Sequence, residues 1–248
     1  MFKGLGSAIG VAAVLALVGP AGRNCDASSD AYELKRQSMV ERQLASRDIR
    51  DRRVLEAMRK VPRHLFVPEE VRRFAYEDFP LPIGYDQTIS QPYIVALMTQ
   101  AAEPRSGDRA LEIGTGSGYQ AAVLAELVDE VFTIEIVPEL CRRAAATLRE
   151  IGYKNVHVRC GDGYAGWPEE APFDVILITA AAPRIPQPLV DQLAEGGRLV
   201  APVGKPGAIQ ELVVYRKKDG RLQERRLIPV RFVPMTGRVQ EKGGEDGL

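Results

Sequence analysis

The chain has 248 residues, 45% hydrophobic and 27% charged, with 33 basic and 33 acidic side chains. That length accommodates one full α/β domain with a sizeable core, and the composition is that of an ordinary globular protein rather than a fibrous or disordered one. A charge balance of zero excludes the electrostatic footprint of a nucleic-acid binder and any general attraction to acidic surfaces.

The chain opens with Lys3, an apolar stretch from Ile9 to Val18, and Gly19-Pro20-Ala21-Gly22. This pattern is that of a secretory leader, and the stretch is short for a membrane span. Residues 23 to 31 are small and polar, as in a linker, so residues 1–30 are set apart from the fold. Folding is expected over 31–236, with 237–248 a polar tail. Helical spacing covers Tyr32 to Leu44 and Arg52 to Met58, with Asp51 a fitting N-cap. Arg47 to Arg53 holds four arginines interrupted by Asp48 and Asp51, and reads as a solvated helix face. Val61 to Pro92 holds five prolines and cannot be regular helix. Its aromatics Phe66, Phe74, Tyr76, Phe79 and Tyr85 argue against disorder. A long irregular segment in a compact domain is usually functional. A helix is expected over Ile94–Ala102.

From there the chain alternates. Strands are expected over Ala110–Ile113, Val131–Ile134, Val156–Arg159, Asp174–Thr179 and Arg198–Val203. Helices are expected over Tyr119–Leu127 and Glu139–Ile151, with a short one near Pro188–Ala194. Glu211–Tyr215 and Leu222–Val230 flank Lys218-Asp219-Gly220, a hairpin signal. The fold class is therefore α/β: a doubly wound, Rossmann-like domain whose mostly parallel central sheet carries antiparallel C-terminal strands.

Between the first of these strands and its helix stand Gly114, Gly116 and Gly118. A strand, a glycine loop and a helix N-terminus together bring backbone N–H groups close to an anionic ligand. The spacing is E-x-G-x-G-x-G, not the G-x-G-x-x-G of dinucleotide binders. Glu135 ends the next strand, placed for its carboxylate to accept hydrogen bonds from both ribose hydroxyls of a nucleoside. Asp162 follows the third strand in Gly161-Asp162-Gly163, where a plain Asp-Gly turn is an equal reading. Glu112 is placed to meet a ligand ammonium or to brace the loop. Cys25, Cys141 and Cys160 show no metal spacing, and each of the latter two is expected to be a buried, inert thiol. The two histidines, His64 and His157, stand near no nucleophile that suggests a hydrolytic triad.

The glycine loop resembles the first motif of class I S-adenosylmethionine methyltransferases. A more specific likeness comes from further segments: Val61-Pro62-Arg63-His64-Leu65-Phe66-Val67-Pro68, Gln87-Thr88-Ile89-Ser90-Gln91-Pro92-Tyr93, Gly161-Asp162-Gly163, Pro172 to Ala181, and Val230-Arg231-Phe232-Val233-Pro234. Together these resemble the protein-L-isoaspartate O-methyltransferase family over about Tyr32 to Thr236. The resemblance implies methyl transfer from S-adenosylmethionine to the free α-carboxylate of L-isoaspartyl residues in damaged proteins and peptides. It implies Ser90 as the active-site residue, with Thr88 and Ile89 beside it at the substrate. It also implies cofactor contacts from Glu112, Gly114, Gly116, Gly118, Glu135, Asp162 (to the adenine amino group) and Gly163, and no metal. On pattern alone, Ser90 reads better as the N-cap of the following helix; the resemblance favours the active-site role, and the two roles can coexist. The expected protein is a monomer with no nucleic-acid partner and no stable membrane association. A cytoplasmic location follows from the cofactor and export from the leader pattern; the cytoplasm is the expectation. Two other activities stay open: a class I methyltransferase of another carboxylate or small molecule, and an NAD-binding oxidoreductase.

Overall fold

The computed structural model describes Met1, residues 27–205 and residues 207–241, with 27–30 and 241 described in backbone alone. The leader-like segment and Cys25 lie outside the described residues. Helix α1 (Ala27–Met39) runs on through a π-helical turn, Val40–Ala45. Residues 46–51 are a turn rather than the helix face expected there. In it Arg47 sits 3.3 Å above the Tyr93 ring and pairs with Asp78. Helix α2 (Arg52–Lys60) starts as expected, with the Asp51 carboxylate accepting from the Arg53 N–H. It buries Val54, Leu55, Ala57 and Met58.

The proline-rich segment holds two 3-10 turns, Arg63–Phe66 and Glu69–Phe74. It also holds an antiparallel hairpin, β1 (Leu81–Gly84) and β2 (Gln87–Ile89). Helix α3 (Pro92–Ala101) begins two residues before the expected start, because proline fits the first helical position without losing a bond.

The remaining elements alternate: β3 (Arg109–Ile113), α4 (Tyr119–Ala125), β4 (Glu130–Glu135), α5 (Pro138–Ile151), β5 (Val156–Cys160), β6 (Phe173–Ile178), α6 (Gln187–Gln192), β7 (Leu193–Val203), β8 (Gln210–Lys218) and β9 (Arg221–Val230). One sheet runs β5-β4-β3-β6-β7-β8-β9. The first five of these strands pair in parallel, and β8 and β9 are antiparallel. β7 begins earlier than expected and takes in Gly196 and Gly197, with a register irregularity against β6. A last turn, α7 (Arg238–Glu241), lies in the segment expected to be a tail, and Val239 there is buried.

Strand side chains alternate between two apolar layers. Ala110, Val131, Val175 and Leu177 face a core built with α3 and α4. Leu111, Ile113, Phe132, Ile134, Ile176 and Ile178 face a second core with Leu189 of α6. Both faces are covered, which is why these strands read as continuous apolar runs. No described helix is long and apolar enough to cross a membrane.

One expectation is corrected. Cys141 and Cys160 are not separate thiols but a disulfide, joining the first turns of α5 to the end of β5. Nineteen residues separate them. The odd cysteine count hid this pair, since only folding of β4-α5-β5 brings the two positions together.

Candidate active site

The strand order reverses at β3. From there the chain adds β4 and β5 on one side and places β6 on the other. The loops after β3 and β6 therefore leave in different directions and open a crevice at the strand C-termini, where ligands bind in sheets of this kind.

Gly114 takes φ +98°, which disfavours other residues. A Cβ there would lie 2.5 Å from the Thr179 hydroxyl oxygen. That hydroxyl donates to the Gly114 carbonyl at 2.7 Å and to the Ile113 carbonyl at 3.0 Å, tying the loop to the end of β6. At Gly163 the approach is also close, with a would-be Cβ 2.5 Å from Ile113 Cγ2.

Glu112 shares the face of Ala110 and is fully buried in the floor of the pocket. Its Oε2 accepts from the Thr133 hydroxyl at 2.6 Å, and Thr115 contacts the same hydroxyl at 2.6 Å. Its Oε1 is buried with no hydrogen-bond partner. Burial pushes the Glu112 carboxyl up to about 8; the Thr133 bond opposes this and neighbouring Glu135 adds to it. An orphaned carboxylate oxygen in the floor of a crevice is suited to a ligand ammonium.

Glu135 is buried, and its carboxylate accepts from the Gly116 N–H at 2.7 Å and the Val137 N–H at 2.9 Å. Two bonds leave an ionised carboxylate further acceptor capacity for hydroxyls. Asp162 stands apart from the pocket lining. Its Oδ1 accepts from the Tyr164 N–H and its Oδ2 from the Arg238 N–H, both at 2.9 Å. Here the side chain caps a turn and clasps the C-terminal segment. Gly118 also lies off the lining; it starts α4 at φ +90° and packs on Leu148.

Hairpin strand β2 brings Thr88 and Ile89, and then Ser90, to the same pocket as Glu112, Gly114, Gly116, Glu135 and Gly163. The N-cap of α3 is Gln91, and no side chain caps that helix. Ser90 is therefore not the cap, and its hydroxyl remains available. Neither histidine is a base for the site. His64 stacks on Tyr32 and meets the Tyr76 hydroxyl at 2.8 Å; burial, with Arg36 and Arg72, pulls it down to about 4. His157 stacks on Phe132 beside Glu130. Among the described residues no group of acidic, cysteine or histidine side chains is arranged to hold a metal.

Sequence reasoning missed the roof. Val233, Pro234, Met235 and Thr236 line the pocket, held because the Ala181 N–H donates to the Val233 carbonyl and the Met235 N–H to the Ala181 carbonyl, each at 2.8 Å. The Arg231-Phe232-Val233-Pro234 stretch was a legible signal of likeness, but not of position. Tyr119, Gln120 and Thr179 were missed as well.

The profile of the family described as protein-L-isoaspartate(D-aspartate) O-methyltransferase (PCMT) matches residues 34–240. A protein-L-isoaspartate O-methyltransferase of Opitutus terrae is 63% identical over 202 residues, covering 82% of this chain and 87% of the relative. One of Shewanella sediminis, named protein-L-isoaspartate O-methyltransferase 2, is 56% identical over 217 residues, 88% of this chain and 89% of the relative. Among solved structures, one titled protein-L-isoaspartate O-methyltransferase superposes with a TM-score of 0.76 at 31% identity, over 82% of this chain and 67% of that one. A putative Plasmodium falciparum homologue in complex with S-adenosyl-L-homocysteine gives 0.70 at 28%, over 81% and 98%.

Proposed function

The chain belongs to the protein-L-isoaspartate(D-aspartate) O-methyltransferase family, and from that premise we infer how its own residues serve the reaction. The enzyme methylates the free α-carboxylate of L-isoaspartyl residues in damaged proteins, with S-adenosylmethionine as donor. The following backbone amide nitrogen attacks the ester carbonyl carbon and expels methanol, which leaves more readily than oxide from a carboxylate. The succinimide so re-forms, and hydrolysis reopens it in part to normal aspartate.

When bound, the cofactor would supply an electrophilic methyl group on a sulfonium, with a neutral thioether as the leaving group and a neutral ester as the product. The orphaned Glu112 Oε1 fits the cofactor's ammonium, and Glu135 fits its ribose hydroxyls. The main chain at Gly114, Gly116 and Gly163 lines the pocket, and at Gly114 and Gly163 the missing side chain makes room for Thr179 and Ile113 behind it. Gly118 and Asp162 act on the cofactor through the loop and the C-terminal segment that they brace.

The acceptor carboxylate is already ionised at neutral pH, so no strong base is required. This agrees with a pocket that neither histidine serves. Ser90 donates its hydroxyl to the acceptor carboxylate and fixes one oxygen in line, with Thr88 and Ile89 alongside. Alignment then carries most of the rate. Ile89, Ile113 and Ile134 keep the reacting atoms in apolar surroundings.

The observation that carries this reading is the convergence of Ser90, from an irregular segment, with Glu112 and Glu135, from two strands, on one pocket. Methyl transfer to an isoaspartyl peptide, with its aspartyl isomer as control, tests it. Ser90→Ala lowers kcat/KM about tenfold or more, for one hydrogen bond to a charged group, with cofactor affinity retained. Equal methylation of the two isomers would reject the substrate, and an unaltered Ser90→Ala enzyme would reject the residue.

Location is a separate inference. S-adenosylmethionine argues for the cytoplasm, as expected above. The Cys141–Cys160 bridge argues for an oxidising compartment, where disulfides persist. The bridge is a feature of the folded chain itself, so we infer export, the alternative of the sequence reading.

A further inference from the structure

Arg63 sits in the first 3-10 turn and is the largest fully buried side chain among the described residues. Its Nε donates to the Ala75 carbonyl at 2.7 Å and its Nη2 to the Ser90 carbonyl at 2.8 Å. The guanidinium carbon lies 4.8 Å from the centre of the Tyr119 ring, and Nη1 makes no hydrogen bond. Tyr119 opens α4 directly after the glycine loop and lines the pocket. One cation thus touches both the main chain of the acceptor-holding residue and the start of the helix beneath the cofactor loop.

A buried charge is expensive unless it is paired. Arg63 has carbonyls and an aromatic face in place of a carboxylate; Asp78 bears on it less than Tyr119 or Tyr76. Burial pulls its pKa down to about 10, so it is charged at neutral pH. Two carbonyls need only neutral donors, and the charge itself is met by the face of the Tyr119 ring. This cation, with no carboxylate hydrogen-bonded to it, lies against the Ser90 carbonyl, behind the residues that line the pocket.

We propose that Arg63 is a positioning residue for the acceptor: from behind the pocket lining it fixes the Ser90 main chain through its carbonyl. The proposal rests on the reading of Ser90 given above. Arginine suits the task better than lysine because its planar fork reaches two carbonyls while stacking on a ring.

The test is a double-mutant cycle in the full chain with Arg63→Lys, Ser90→Ala and both, measuring kcat, KM for an isoaspartyl peptide, and S-adenosylmethionine affinity by calorimetry. Arg63→Lys is expected to lower kcat/KM about tenfold, mostly in kcat, since misalignment is what a displaced Ser90 causes. Cofactor affinity stays within about twofold, and in the Ser90→Ala background the loss shrinks below about threefold, as for residues that act through one another. Where the lysine protein does not fold, Arg63→Gln runs the same cycle. A full additive loss, or a matching loss of cofactor affinity, would show a merely structural arginine and overturn the proposal. An unaltered Ser90→Ala enzyme would instead overturn the Ser90 reading, and this one with it.

Discussion

Glu112 shows how one residue couples burial to binding. Its folded-state pKa of about 8 stands above the ordinary carboxyl value of 4.5, with burial the largest cause. At acid pH both folded and unfolded chains hold the proton, and the residue takes nothing from stability. As pH rises from 4.5 to about 8, the unfolded chain loses its proton before the folded one does. Stability from this residue therefore declines through that window and levels off above it. A cofactor ammonium beside Oε1 favours the carboxylate and opposes the effect of burial. Binding S-adenosylmethionine at pH 7 should thus release a proton, and affinity should rise as pH moves from 6 towards 8. Calorimetry in buffers of different ionisation heat measures the release directly. Glu112→Gln should abolish both effects; a wild-type protein that binds with no proton exchange would remove Glu112 from the ammonium site.

Two elements show what short segments contribute. Hairpin β1–β2 turns at Tyr85 and Asp86, both at φ 56°. That is a left-handed pair filled by residues other than the favoured asparagine and glycine, so the local sequence carried no hairpin signal. The turn is nonetheless what presents Thr88, Ile89 and Ser90 to the pocket. The second element is the α5–β5 pair with its bridge. Closing a loop of this size removes chain entropy from the unfolded state, worth about 3 kcal/mol in the chain-entropy model. Reductant should therefore lower the denaturation midpoint of the wild-type protein, and Cys141→Ala/Cys160→Ala should show the lower midpoint with no further response to reductant. An identical midpoint in wild type with and without reductant would mean that the bridge does not form.

At the scale of the whole molecule, the sheet sorts the functions. The parallel half, β3 to β7, supplies the crevice; the antiparallel β8 and β9 extend the sheet, and the chain beyond β9 returns across the site as its roof. Compartment is also a property of the whole chain. An exported enzyme should be recovered from the envelope or medium with Cys141 and Cys160 oxidised, which fractionation followed by non-reducing peptide mass spectrometry measures. Recovery in the cytosol with both thiols free would restore the cytoplasmic expectation.

The sequence by itself determined the α/β class, the alternation of elements and the cofactor loop, because these rest on local rules. Apolar runs mark strands buried on both faces, and three alternating glycines after a strand mark a backbone that must come close to something. It offered Ser90 only through the order of the segments around it rather than through chemistry, since by pattern alone a serine two residues before a proline reads better as a cap. Tertiary structure alone decided the rest. The cap belongs to Gln91, Asp162 clasps a segment 76 residues away, and two cysteines 19 residues apart become one bridge. Arg63 meets the Ser90 carbonyl across 27 residues. Each depends on which strands neighbour one another and on where an irregular segment returns, and no periodicity within a short window records contacts of that range.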